Sequence, residues 1–94
     1  MPLLTEEECR AAVQEALDSL PPQFAEKLQN VAVIVDDGPP RGLYGLYDPR
    51  GGIPRIVIYS RSNPSAVQVR RTVLHEVGHH FGMSEEQIRG LGYG

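Results

Sequence analysis

Two apolar, β-branched stretches constrain this chain most: Val31-Ala32-Val33-Ile34-Val35 and Arg55-Ile56-Val57-Ile58-Tyr59. Runs this short and this branched read as strands, the first as a buried one. Asp36-Asp37-Gly38-Pro39-Pro40 breaks the first run, and Asp48-Pro49-Arg50-Gly51-Gly52 forms a turn before the second. Between them, residues 43–47 read as a short strand with Leu43, Gly45 and Tyr47 on one side.

Helical patterns flank these strands. Thr5 and Glu8 have capping-box spacing, and Glu6, Glu7 and Glu8 sit where the helix dipole favours negative charge. Cys9, Ala12, Val13, Ala16, Leu17 and Leu20 then recur on one apolar face. Pro21-Pro22 stops that helix, and Pro22 starts a short second one through Leu28, with Phe24 and Leu28 facing inward. A long helix starts at Asn63-Pro64-Ser65, with Asn63 or Ser65 as its cap, runs to about Phe81 and stops at Gly82. Ser84 and Gln87 repeat the capping-box spacing for a last short helix, and Gly90, Gly92 and Gly94 fray its end. The expected class is α+β: N-terminal helices, a small mixed sheet of about three strands, one long helix and a short C-terminal helix.

With 94 residues the chain has room for a single domain, 1–94, and a thin core. A net charge of -3 argues against a nucleic-acid binder, which would normally carry a basic face. No apolar run spans a bilayer, and the first ten residues lack the apolar segment of a secretion signal. The single cysteine, Cys9, excludes a disulfide framework and reads as a small buried hydrophobe. A cytoplasmic protein without nucleic-acid or membrane partners is the expectation.

The chemistry lies in His75-Glu76-Val77-Gly78-His79. Residues four apart share a helix face, so His75 and His79 direct two imidazoles at one point, a good arrangement for zinc. Glu76, at the edge of that face, can take a proton from a metal-bound water. On a helical wheel Ala66, Val69, Val73, Val77 and Phe81 form an apolar arc, with Leu74 at its edge. His75 and His79 lie opposite, beside Thr72 and Gln68. His80 falls on the apolar arc and reads as a partly buried histidine bonded to backbone.

A catalytic zinc normally has three protein ligands. Gly82 lets the chain turn back, which makes Glu85 the favoured third ligand, with Glu86 as fallback and Asp48 more distant. The spacing His75-Glu76-x-x-His79-x-x-Gly82-x-x-Glu85 matches the metzincin frame, with glutamate in place of the third histidine.

Residues 72–86, from Thr72-Val73-Leu74-His75-Glu76 through Gly82-Met83-Ser84-Glu85-Glu86, resemble the small bacterial zincin-like metallopeptidases, as does Leu91-Gly92-Tyr93. Upstream, Gly42-Leu43-Tyr44-Gly45-Leu46-Tyr47 and Arg55-Ile56-Val57-Ile58-Tyr59 are also similar. The resemblance implies a minimal zincin-like fold, Zn2+ held by His75, His79 and Glu85, and Glu76 as general base. It implies hydrolysis of a peptide or flexible protein segment laid along an edge strand. For that strand Arg55, Val57 and Tyr59 are the candidates, since they directly precede the long helix. Tyr44, Tyr47, Tyr59 and Tyr93 are available to steady an oxyanion, and the sequence selects none. The alternative is a non-catalytic metal-binding or protein-interaction module on the same scaffold.

Overall fold

A computed structural model describes residues 4–38 and 43–90. Gly42, Gly92, Tyr93 and Gly94, named above, lie outside them, as do Pro39, Pro40 and Leu91. The order is α1 (Glu6–Asp18), α2 (Pro22–Lys27), β1 (Ala32–Asp36), β2 (Gly45–Asp48), β3 (Arg55–Tyr59), a 3-10 turn (Ser60–Ser62), α3 (Ala66–His80) and α4 (Glu85–Gly90). This is the expected α+β arrangement. Among the described residues no helix is long and apolar enough to cross a membrane.

The first helix forms as its ends dictate. Thr5 Oγ1 accepts the Glu8 N–H at 3.0 Å, and Glu8 Oε1 accepts the Thr5 N–H at 2.9 Å, closing the capping box. Its buried face is Cys9, Ala12, Val13 and Ala16. Burial also pushes the Cys9 thiol pKa up. α2 buries no residue. Phe24, expected to face inward, stays 38% exposed and packs at a tilt on Phe81, with ring centroids 5.3 Å apart.

The sheet has the order β1-β3-β2, with β1 parallel and β2 antiparallel to β3. This corrects two expectations. β3 is the central strand, so Arg55–Tyr59 has no free edge. The first run is an edge strand, with Ile34 38% exposed, rather than a fully buried one. Ile56 and Ile58 are fully buried against Val69, Val73 and Val77 of α3 and the apolar face of α1. By strand alternation Val57 turns to the other face, where the register aligns it with Ile34 and Leu46. The helices therefore cover one side of the sheet.

Asn63 joins the sheet to α3. It is fully buried. Its Nδ2 donates to the Tyr59 carbonyl at 2.6 Å and to the Tyr44 carbonyl at 3.0 Å, while its Oδ1 accepts from the Thr72 hydroxyl at 2.7 Å. Ser65 therefore caps α3, accepting the Gln68 N–H, and Asn63 ties three segments together.

Candidate metal centre

α3 carries two working faces. Val69, Val73 and Val77 enter the core, while Thr72 and Glu76 are buried toward β2. Gly45 permits this approach. A Cβ there would lie 2.8 Å from Thr72 Cγ2, 3.0 Å from the Val57 carbonyl and 3.2 Å from Glu76 Cγ. Any larger residue would push β2 away from the helix.

The helix ends in a Schellman turn. Met83 N–H donates to the Gly78 carbonyl and Gly82 N–H to the His79 carbonyl, each at 3.0 Å, with Gly82 at φ +80°. The turn reverses the chain. Ser84 then starts α4 with a reciprocal pair, its hydroxyl accepting Gln87 N–H at 3.1 Å and its N–H donating to Gln87 Oε1 at 2.8 Å. Ile88 anchors this short helix against Gly78, where a Cβ would meet Ile88 carbons at 2.9 and 3.0 Å. These constraints bring Glu85 back beside α3.

There Glu85 meets both imidazoles. His79 Nε2 is 2.7 Å from Glu85 Oε1, His75 Nε2 is 3.2 Å from Glu85 Oε2, and the two Nε2 atoms are 3.2 Å apart. Among the described residues this is the group of histidines and carboxylates that could hold a metal ion. A tetrahedral zinc with bonds of about 2.0–2.1 Å separates its ligands by about 3.3 Å. The His75–His79 and His75–Glu85 separations fit that spacing, while His79–Glu85 is at hydrogen-bond distance. Two imidazole nitrogens and a carboxylate oxygen turned to one point are also a donor set that suits zinc. The hydrogen bond with His79 holds the Glu85 carboxyl below its ordinary pKa, burial works against this, and His75 also lowers it. Glu85 is thus ionised at neutral pH, as a ligand must be.

Glu76 behaves in the opposite way. It is 8% exposed. Burial pushes its pKa up, His75 and His79 pull it down by their charge, and Glu85 adds to the rise. The group is more basic than a surface carboxylate while remaining on the cleft wall. That cleft, of about 750 Å³, lies between residues 43–47 on one side and Gln68, Arg71, Thr72, His75, Glu76 and His79 on the other, with Glu85 at its margin.

The other sequence candidates lie elsewhere. Glu86 takes no part in the cluster. Asp48 is buried and engaged by Arg50 at 2.9 Å and Arg55 at 2.9 Å, which hold its carboxyl well below the usual range. None of the three expected substrate residues lines the cleft. Arg55 is committed to Asp48, Val57 faces the far side of the sheet, and the Tyr59 ring packs on Gly38. Residues 43–47, beside the cleft on the other side of the central strand, take that position. His80 also departs from expectation. Its Nδ1 shares a hydrogen bond of 3.0 Å with the Tyr47 hydroxyl rather than a backbone group. The sequence reading missed Asn63, Gly45 and Gly78 as devices of the site. Gly78, inside the motif itself, was the available signal, because a glycine in mid-helix is costly unless something approaches closely.

The family model described as zincin-like metallopeptidase matches residues 50–93, the segment holding β3, α3 and α4. It supports a small zincin-like family, as the motif resemblance implied, and such a family implies a metal, typically zinc.

Proposed function

We propose, from the zincin-like match over residues 50–93, that this chain is a zinc-dependent peptide hydrolase. One observation carries the reading: His75, His79 and Glu85 turn their donor atoms to one point on a cleft whose wall also holds the buried carboxylate of Glu76. Bound by those three residues, zinc supplies Lewis acidity and lowers the pKa of a water toward ~7.

The chain's own groups do the rest. Glu76, with its basicity raised by burial, accepts the proton of the attacking water and returns it to the leaving amine. Thr72 and Gly45 fix the wall from which Glu76 projects. β2 pairs with β3 alone among the described residues, so its outer edge has main-chain groups to receive an extended peptide. The cleft is shallow in a molecule only 24 Å across its short axis, which suits a short peptide or a flexible segment rather than a folded protein.

The test is Glu76→Gln in zinc-loaded protein, assayed on an unstructured peptide mixture by mass spectrometry. Loss of the base should reduce cleavage by roughly 10²–10⁴-fold while zinc content stays at the wild-type level. A variant that cleaves as fast as wild type removes Glu76 from the mechanism. A wild-type protein that holds zinc and cleaves nothing supports the binding-module alternative.

A further inference from the structure

Among the described residues that line the cleft, the mechanism leaves the charged group of Arg71 unused. Arg71 lies four residues before His75 on α3, so it is on the same wall about 6 Å along the helix. It is exposed, and none of the carboxylates among the described residues forms an ion pair with it. Arg10 has Glu6, and Arg50 and Arg55 share Asp48. Arg61, Arg70 and Arg89 also have no such partner, but they do not line the cleft. Among the described lining residues Arg71 is the one arginine or lysine, facing a site that otherwise carries Glu76 and Glu85.

The two walls of the cleft are in register. Tyr47 meets His80, and Gly45 meets Thr72 and Glu76, so β2 and α3 advance in the same direction. Leu43 and Tyr44, both about half exposed, therefore flank the end of the cleft that holds Arg71. A peptide extended along β2 advances about 3.3 Å per residue. Two residues cover the single helical turn between His75 and Arg71.

We propose that Arg71 selects peptides carrying a carboxylate about two residues from the bond held at the His75–His79–Glu85 site, on the side toward the start of α3. This rests on the peptide-cleft reading above. The guanidinium pairs with a carboxylate through two parallel N–H donors, which is the geometry arginine favours. An aspartate or glutamate side chain and the C-terminal carboxylate of a short peptide present the same group. Because the cleft is open to water, the preference is about threefold to fivefold in affinity rather than the larger factor of a sealed pocket.

The experiment measures binding, so it does not depend on turnover. Zinc-loaded Glu76→Gln protein is titrated by fluorescence anisotropy with labelled octapeptides. Each is alanine-rich, carries one Glu or one Gln scanned through the sequence, and ends in an amide or a free acid. The best Glu peptide should bind about threefold to fivefold tighter than its Gln counterpart. The gap should vanish in Arg71→Gln and reverse in Arg71→Glu, which should bind the Gln peptide more tightly than its Glu counterpart. A preference found only for the free acid over the amide, and lost in Arg71→Gln, assigns the carboxylate to the peptide terminus. Equal binding by all peptides, or a preference that survives Arg71→Gln, overturns the proposal. Zinc content and wild-type cleavage are measured on parallel samples, so failure of the hydrolase reading registers there separately. Arg71 is exposed, and an unchanged melting curve for Arg71→Gln confirms that the fold is intact.

Discussion

Replacing Asn63 by alanine should damage this protein more than its place between two structural elements suggests. The side chain is fully buried and makes three hydrogen bonds, to Tyr59, Tyr44 and Thr72. Two of those partners have an alternative. The Tyr44 carbonyl still accepts the Tyr59 N–H at 3.1 Å, and the Thr72 hydroxyl can still donate to the Gln68 carbonyl at 2.9 Å. The Tyr59 carbonyl loses its side-chain donor. A buried polar group left without a partner costs about 1–3 kcal/mol. The cavity left by the missing amide adds about 1 kcal/mol. The sum is roughly 2–4 kcal/mol, and in a domain this small each kcal/mol moves the melting temperature by about 4–8 °C. Thermal unfolding followed by circular dichroism should therefore show a drop of roughly 8–32 °C. Thr72→Val removes only the Thr72–Asn63 bond among these three. The double variant should thus cost about 1 kcal/mol less than the sum of the single variants. A melting temperature within about 3 °C of wild type for Asn63→Ala, or strict additivity in the cycle, would refute the assignment of Asn63 as the tie between sheet and helix.

Gly78→Ala should lower both stability and zinc affinity, because its methyl enters the space of the buried Ile88 side chain and displaces α4. The stability loss expected for such overpacking is about 1–3 kcal/mol, and isothermal titration should show weaker zinc binding; unchanged affinity would mean that α4 does not seat Glu85. Asp48→Asn should lower stability at neutral pH and flatten its acid limb. The folded pKa of Asp48 lies below its ordinary 3.8, so its contribution is complete above that value and fades as pH falls through it toward the folded pKa. Melting temperatures of wild type and variant should converge as pH drops from about 5 toward 2, and a gap that stays constant would show that the Asp48–Arg50–Arg55 cluster is not the source.

Local signals were the readable ones. Thr5 and Glu8 form the capping box their spacing announced, and Gly82 takes the left-handed turn expected of a glycine after a helix. The convergence of His75 and His79 follows from helix geometry alone, and that of Glu85 from the turn at Gly82. Pairing between strands was not readable. The runs around Val33 and Val57 look alike in composition, yet one is an edge and the other the centre, because order in a sheet is decided by partners distant in sequence. The misplaced substrate strand followed from that. The same distance hid Asn63, whose role depends on Tyr44 and Thr72, and the bond of His80 with Tyr47, 33 residues earlier in the chain.

Zinc K-edge X-ray absorption on the loaded protein tests the metal centre most directly, since it reads the first shell around the ion in solution. Convergence of His75, His79 and Glu85 predicts one bound zinc with about four light-atom neighbours at about 2.0–2.2 Å and the outer-shell scattering of two imidazoles. A six-oxygen shell with no imidazole signal, or a protein that fails to retain zinc, would contradict it.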